Sequence, residues 1–423
     1  MYPAPRSTPT VICPERGADT GLLDSVAAGS ARLSPHPAVE SDQPLINPTQ
    51  TLWTPLAPLT LDWRGDAPVA RDSGDIFFST EDGLAESRYV FLEGNRLSER
   101  WPAQTTDQPF VIGEIGLGTG LNLCLTVAEW LRQRRPGATL HYVGLERAPF
   151  RPEDMCRALG HWPELTPVLN ALLARWPDPL PGCHRRYFTE WDLTLDLWWA
   201  DAADTLQDLA SHGRPWVDAW YLDGFAPSRE PGPWQQRLYD AMAGLSRAEA
   251  TFATFTAAGD VRRGLAASGF EVHKRPGFGS KREALCGTID TPHTTAPAIT
   301  PWDLHPASHS LERVLILGAG LAGAHAAFAL ARRGVAVTVL EAASVAGGGS
   351  SNLQGVTYTR LSHQHNPLTD FSLAGFSFAT DHYETLLGGG ALTTDEDIGL
   401  GGYVQLHEPD EMLAHLSLSL IHI

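Results

Sequence analysis

Tyr221 to Pro227, YLDGFAP, places a carboxylate, Asp223, two residues before an aromatic ring, Phe225, in a turn held by Gly224 and Pro227. Such a pair can orient an amine against a flat wall and take or relay its proton. An alkylamine with a pKa near about 10.4 must lose a proton before it attacks an electrophilic carbon. The plainer reading of Asp223 is a helix N-cap. Upstream, Gly113 to Asn122, GEIGLGTGLN, groups Glu114, Gly116, Gly118 and Gly120 at the junction of an apolar run and a helical pattern. Glycines there let the backbone approach a ligand, and the first amides of the helix meet its polar groups.

Glu146 and Asp201 end two further apolar runs. A carboxylate at the end of the second strand can accept both hydroxyls of a ribose. Asp201, followed by the small Ala202, can accept from an adenine amino group and leave room for the ring. Each acid alone is more often a cap. Three facing one crevice would repel a pyrophosphate but suit a nucleoside carrying positive charge, and S-adenosylmethionine fits best.

A second site lies in Arg313 to Glu341, RVLILGAGLAGAHAAFALARRGVAVTVLE. It has the strand, the Gly318-x-Gly320-x-x-Gly323 turn, the amphipathic helix, a second strand and Glu341 for the ribose hydroxyls. This is a full dinucleotide fingerprint, and it leaves NAD and FAD unseparated.

The elements that must position these residues follow from periodicity. Strands are predicted at Phe110 to Ile115, Leu140 to Glu146, Leu193 to Ala200, Val217 to Asp223 and Ala250 to Thr256, with FEVHKR and EALCGTI as two more. Helical patterns such as LNLCLTVAEWLRQRR and AADTLQDLASHG follow them. Alternation of this kind predicts an α/β fold with a parallel sheet covered on both faces and ligands at the carboxyl ends of the strands.

The chain has 423 residues, 43% of them hydrophobic, enough for two to three domains. Residues 1–48 are rich in Pro, Ser, Ala and Gly and are expected to be a disordered extension. The proline- and threonine-rich segment 291–311 is expected to link a domain over 49–290 to one over 312–417. No apolar run of about 18 residues and no basic-then-apolar leader is present, so a cytoplasmic protein without membrane contact is expected. Five scattered cysteines form no CxxC pair, which argues for no metal site and no disulfide framework.

A formal charge of −18 argues against a general nucleic-acid coat, yet a local basic patch can still grip phosphate. Both lysines of the chain, Lys274 and Lys281, fall in HKRPGFGSKRE beside Arg275 and Arg282. The pairs Arg185–Arg186 and Arg262–Arg263 are more simply exposed arginines on a solvated face.

Four motifs, DIFFSTEDGLAESRYVFLEGNRLSERW, IGEIGLGTGLN, WYLDGFAPSREPGPW and GFGSKREAL, resemble the methyltransferase half of the bifunctional tRNA 5-methylaminomethyl-2-thiouridine biosynthesis family. The resemblance runs from about Thr54 to Ile289. It implies a Rossmann-like methyltransferase sheet that methylates the primary amine of 5-aminomethyl-2-thiouridine in the tRNA anticodon loop with S-adenosylmethionine. By resemblance, Asp223 and Phe225 sit at the acceptor amine, and GLAESRYVFL covers the substrate side of the crevice. The basic cluster Lys274, Arg275, Lys281 and Arg282 then becomes the clamp on RNA phosphates, since a wobble base in a single-stranded loop can be splayed into a pocket.

Gly347 to Ser362, GGGSSNLQGVTYTRLS, resembles the loop along the flavin in the oxidoreductase half of the same family, including Ser351, Asn352, Gln354 and Gly355. FAD is thereby favoured, for oxidative removal of the carboxymethyl group of 5-carboxymethylaminomethyl-uridine. The 82 residues after Glu341 are short for such a domain, so this half is expected to be incomplete, truncated at its C-terminus, with FAD binding weakened and the oxidative activity lost. The last six residues, LSLIHI, match the conceptual translation of a sequencing-adapter end and are expected to be a tail of that origin. Two other readings stand beside the methyltransferase: a flavin amine oxidase with an RNA-docking front half, and a non-catalytic tRNA-binding scaffold.

Overall fold

A computed structural model of the chain describes residues 10–12, 56–57, 59–106, 108–212, 215–225, 227, 229, 234–290, 312–352, 355–359, 367–394 and 397–399. The expected linker over 291–311 and the C-terminal hexapeptide lie outside the described residues. Contacts divide the chain into two units, one of residues 1–51 and 306–358, the other of residues 52–305 and 359–423.

In chain order the strands begin with β1 (Thr10–Ile12), which belongs to the smaller unit. The larger unit opens with the hairpin β2 (Leu61–Arg64) and β3 (Ala67–Ala70), then α1 (Gly83–Ser87), a π-helical turn (Arg88–Glu93) and α2 (Leu97–Ala103). Its sheet is built from β4 (Phe110–Ile115), β5 (Leu140–Glu146), β6 (Gly182–Phe188), β7 (Leu193–Trp199), β8 (Val217–Leu222), β9 (Ser246–Thr254), β10 (Glu271–Pro276) and β11 (Glu283–Ile289). The order is β10-β11-β9-β8-β4-β5-β7-β6. The five central strands run parallel, and β6, β10 and β11 pair antiparallel to their neighbours.

Every residue of β4 is buried, as expected of a central parallel strand covered on both faces. Alternation then sorts its side chains. Phe110 and Ile112 join a cluster with Trp101, Trp130, Tyr142 and Tyr221, while Val111 and Ile115 join Trp220, Met242, Leu245 and Phe252 on the opposite face. Among the covering helices, α3 (Leu121–Gln133) follows β4, α4 (Pro152–Leu159) and α5 (Thr166–Leu173) follow β5, and α6 (Ala202–His212) follows β7. Next come α7 (Gln236–Leu245) and α8 (Gly259–Ala267).

One strand of the eight-stranded sheet is absent from the sequence-based expectation. β6 carries Arg185 and Arg186, which are not the exposed pair expected, because the strand turns both toward acids. Arg185 donates two 2.6 Å bonds to the carboxylate of Asp196, and Arg186 is buried with its Nε 3.2 Å from Asp381. Arg262 and Arg263 are exposed, as expected.

The smaller unit contains β12 (Arg313–Leu317), α9 (Leu321–Ala331) and β13 (Ala336–Leu340). β13 lies between β12 and β1 and is parallel to both, so Thr10–Ile12 form a strand inside the segment expected to be disordered. The 22-residue helix α10 (Pro367–Gly388) belongs to the larger unit and packs on β6. Among the described residues no helix is long and apolar enough to cross a membrane, and no group of three or more His, Cys, Asp or Glu is placed to hold a metal.

Candidate functional site

Four parallel strands, β4, β5, β7 and β8, end at a cavity of about 590 Å³. The turn after β4 contributes Gly116 and Gly118, the end of β5 Glu146, the end of β7 Asp201 and Ala202, and the end of β8 Asp223 and Phe225. Seven residues expected at a cofactor or acceptor thus meet in one place.

Gly116 has φ +79°, and a Cβ there would stand 2.9 Å from the backbone of Gly224. Only glycine lets the turns after β4 and β8 touch. Glu146 accepts from the N–H of Gly118 (3.0 Å) and of Ala148 (2.9 Å). Two backbone donors fix the carboxylate plane. Asp201 lines the cavity and accepts from the N–H of Asp204 at 3.0 Å as the cap of α6.

Two residues expected to touch the cofactor do not line the cavity. Gly120, φ +76°, precedes α3 against Met155 and does not line the cavity. Glu114 is fully buried and accepts from Tyr142 Oη (2.7 Å) and Asn122 Nδ2 (2.8 Å). Because β4 alternates, residue 114 points into the layer with Phe110 and Ile112 rather than along the strand into the crevice. Burial raises the Glu114 carboxyl well above the usual range.

Asn122 was not singled out from the sequence. It is buried, it donates to Glu114 and also to Asp223 Oδ2 at 2.8 Å, and its own oxygen accepts from Ser87 Oγ. A signal was present, since it ends the GLGTGLN motif in the first turn of α3, where an exposed polar residue would be unremarkable. Asp223 also accepts from the N–H of Gly224 at 2.8 Å, and burial pushes its carboxyl up to about 7 despite these bonds. Phe225 meets Phe77 edge-on at 5.0 Å, and its carbonyl accepts from Trp234 Nε1 at 2.9 Å.

The four basic residues of the β10–β11 hairpin divide. Lys274 pairs with Glu283 across the hairpin at 2.7 Å. Arg275 lies over the Tyr89 ring at 3.9 Å and donates to the Tyr89 carbonyl at 3.0 Å. Lys281 lines the cavity, 2.7 Å from Glu86 and 4.7 Å from the centre of the Phe255 ring. Arg282 is exposed at the loop.

In the smaller unit Gly318 has φ +97°, and a Cβ on Gly323 would stand 1.9 Å from the Gly318 carbonyl, so α9 can begin this close to β12 only with glycine there. Gly320 precedes α9, and Leu321 N–H donates to Ser350 Oγ at 3.0 Å. Glu341 accepts from the N–H of Ala319 (2.8 Å) and of Ala343 (3.2 Å), which lower its carboxyl. Ser351 and Asn352 are exposed in and after a short turn, Gly355 is exposed, and Gln354 lies outside the described residues.

Comparison with known proteins finds a family match in each of the two regions. The family model of the S-adenosyl-L-methionine-dependent methyltransferases matches residues 163–290, and that of the FAD dependent oxidoreductases matches 313–416. The chain is 47% identical to the tRNA 5-methylaminomethyl-2-thiouridine biosynthesis bifunctional protein MnmC of Chromohalobacter salexigens, over 77% of this chain and 46% of the relative. It is 42% identical to the protein of the same name from Aeromonas salmonicida, over 84% of this chain and 53% of the relative. The chain belongs to the MnmC family. It spans about half the length of the curated relatives it matches. The solved structure of MnmC2 from Aquifex aeolicus is 19% identical with a TM-score of 0.44, covering 59% of this chain and 75% of that one. Within this family chain, the larger unit carries the methyltransferase match up to residue 290, and the fingerprint from Gly318 to Glu341 falls in the oxidoreductase match.

Proposed function

We propose that the larger unit transfers a methyl group from S-adenosylmethionine to the primary amine of 5-aminomethyl-2-thiouridine at the tRNA wobble position, in the cytoplasm. The observation that carries the chemistry is Asp223. It is fixed by Asn122 and the Gly224 amide on the wall of the cavity, beside Phe225, with its carboxyl raised to about 7. A carboxylate with that affinity for a proton is matched to a general base at neutral pH.

The residues present fit the cofactor. The turn at Gly116 and Gly118 lines the cavity with backbone, Glu146 is oriented for ribose hydroxyls, Asp201 and Ala202 border the adenine position, and the carboxylates suit a cation. When bound, S-adenosylmethionine supplies an electrophilic methyl group on a positively charged sulfur. Asp223 takes a proton from the acceptor ammonium, and Phe225 with Phe77 presents apolar wall to the base. Most of the acceleration comes from aligning the amine with the methyl group rather than from strong base catalysis. The hairpin loop carrying Arg282 and Lys281 stands at the rim, which supports docking of the RNA backbone there.

For the smaller unit we infer FAD. Gly318 has open space where a Cβ would stand, Gly323 lets α9 begin close against β12, and Glu341 is held for a ribose. Its proposed reaction removes the carboxymethyl group of 5-carboxymethylaminomethyl-uridine, which yields the amine that the larger unit methylates. The deciding experiment incubates the chain with labelled S-adenosylmethionine and tRNA lacking the final methyl group, then digests the RNA and identifies the labelled nucleoside. Label in 5-methylaminomethyl-2-thiouridine is expected; bound cofactor with no label in that nucleoside rejects the assignment.

A further inference from the structure

Asp223 shares its part of the cavity with a second acid. Glu86, from α1, lines the same cavity with its side chain only 11% exposed. Its Oε1 is buried, and no aligned hydrogen-bond donor reaches it, yet the Lys281 ammonium lies 2.7 Å away. The Lys281 side chain is 46% exposed and reaches in from the hairpin loop past Phe255. A buried carboxylate oxygen with unfilled acceptor capacity is costly unless a cation is supplied. A lysine head is a primary ammonium on a flexible stem, the same chemical group as an aminomethyl substituent in its protonated form.

We propose that Glu86 is the second carboxylate that receives the acceptor's primary ammonium, and that Lys281 occupies that seat until the acceptor displaces it. The inference rests on the reading of the acceptor as an aminomethyl group. Lys281 is then not a phosphate clamp but an internal substitute for the substrate, keeping Glu86 charge-matched. With the ammonium between Glu86 and Asp223, one proton passes to the Asp223 carboxylate and the nitrogen lone pair is freed. The nitrogen–methyl bond forms as the methyl–sulfur bond breaks, leaving a secondary ammonium and a neutral thioether. Two facing carboxylates also select the class of acceptor. A primary ammonium is attracted, whereas an amine that already bears a carboxymethyl group brings a like charge.

The groups facing Asp223 are Glu86 and Lys281 in the same cavity, Glu114 and Tyr142 from β4 and β5 beneath, and Asn122 from α3. The Lys281 charge holds the Asp223 carboxyl down and the Glu86 charge holds it up. Glu86→Gln and Lys281→Met therefore shift the acid limb of the kcat/KM profile in opposite directions, to lower and to higher pH respectively. Glu86→Gln also raises KM for the tRNA about ten-fold or more, with S-adenosylmethionine affinity retained as the check on folding. An acid limb unmoved by Lys281→Met, together with a flattened salt dependence of tRNA binding, makes Lys281 a phosphate contact and overturns the proposal. So does an unchanged KM in Glu86→Gln.

A second arm needs no turnover. The chain has two lysines, so lysine labelled with nitrogen-15 gives two side-chain signals, assigned with Lys274→Arg. An anticodon stem-loop carrying 5-aminomethyluridine is expected to move the Lys281 signal, and the same stem-loop with plain uridine is not. An unmoved signal at saturation rejects the displacement. Absence of methylated product from the wild-type chain, with the Lys281 signal still moving, rejects the transfer reaction and leaves the seat in place.

Discussion

The amide of Gly118 donates to the Glu146 carboxylate at 3.0 Å, which makes the glycine turn after β4 and the acid ending β5 a single device. The smaller unit repeats it with Ala319 and Glu341 at 2.8 Å. In each case a second amide two residues past the acid, Ala148 or Ala343, takes the other oxygen. Each carboxylate is thereby oriented before a ligand arrives, which lowers the ordering cost of binding.

Gly118→Asp is expected to remove S-adenosylmethionine binding. The residue has φ +53°, where side chains are disfavoured, and a Cβ would stand 3.2 Å from Phe77. The new carboxylate would also lie beside Glu146. Titration calorimetry should show affinity reduced about 100-fold or more, equivalent to about 2.8 kcal/mol. Unchanged affinity would remove this turn from the cofactor site.

Much of this arrangement was legible in the sequence because strand ends and glycine turns are local signals. The spans of β4, β5 and β11 follow from apolar runs between turn residues, and Gly116, Gly118, Glu146, Asp201 and Asp223 all fall at the carboxyl ends of strands, where parallel sheets bind ligands. What was not legible depends on contacts distant in sequence. Asn122 meets Asp223 101 residues away, and Lys281 meets Glu86 on α1, so neither partner is implied by spacing. β6 was hidden for the opposite reason: GCHRRYF is too polar to read as a strand until Asp196 and Asp381 supply counter-charges.

Asp223→Asn separates catalysis from stability. Transfer should fall about 100-fold or more with the proton acceptor gone, and the wild-type rate should rise as pH passes through about 7, where Asp223 ionises. The folded-state pKa is raised above the ordinary 3.8, so the folded protein holds this proton more tightly than the unfolded chain. Stability is therefore lost as pH rises between those values. The full shift corresponds to about 4 kcal/mol, an upper bound because the carboxylate faces an open cavity. Melting temperatures should favour the Asn variant at pH 8, with the difference vanishing below about pH 4. A constant difference across that range contradicts the role of burial.

Asp381→Ala tests how α10 is held. Asp381 accepts from Arg175 at 3.0 and 2.7 Å and lies 3.2 Å from Arg186, whose side chain is only 6% exposed. Burial lowers the Arg186 pKa while Asp381 opposes that shift, so removing the acid leaves a buried cation short of its counter-ion. A loss of about 2 kcal/mol is expected, below the range for a fully buried pair because Arg175 is partly solvated. Hydrogen exchange over residues 367–388 should accelerate, and protection equal to wild type would show that apolar packing alone fixes the helix.

The proposed RNA-facing role of the hairpin rests on Arg282. Arg275 is committed to the ring and carbonyl of Tyr89, and Lys274 is already paired with Glu283, whereas Arg282 is exposed at a loop on the cavity rim. Each phosphate neutralised by a cation releases condensed counterions, so losing one contact lowers the slope of log affinity against log salt by about 0.7 to 0.9. Arg282→Glu should weaken tRNA binding at low salt and reduce that slope, with cofactor affinity unaffected. Arg275→Ala should act differently, lowering the melting temperature through the lost Tyr89 contacts, with a smaller change in salt dependence. Filter binding of tRNA to both variants across a salt series distinguishes them. A slope in Arg282→Glu equal to wild type means that the RNA backbone docks on another face, and the hairpin then serves the cavity through Lys281 alone.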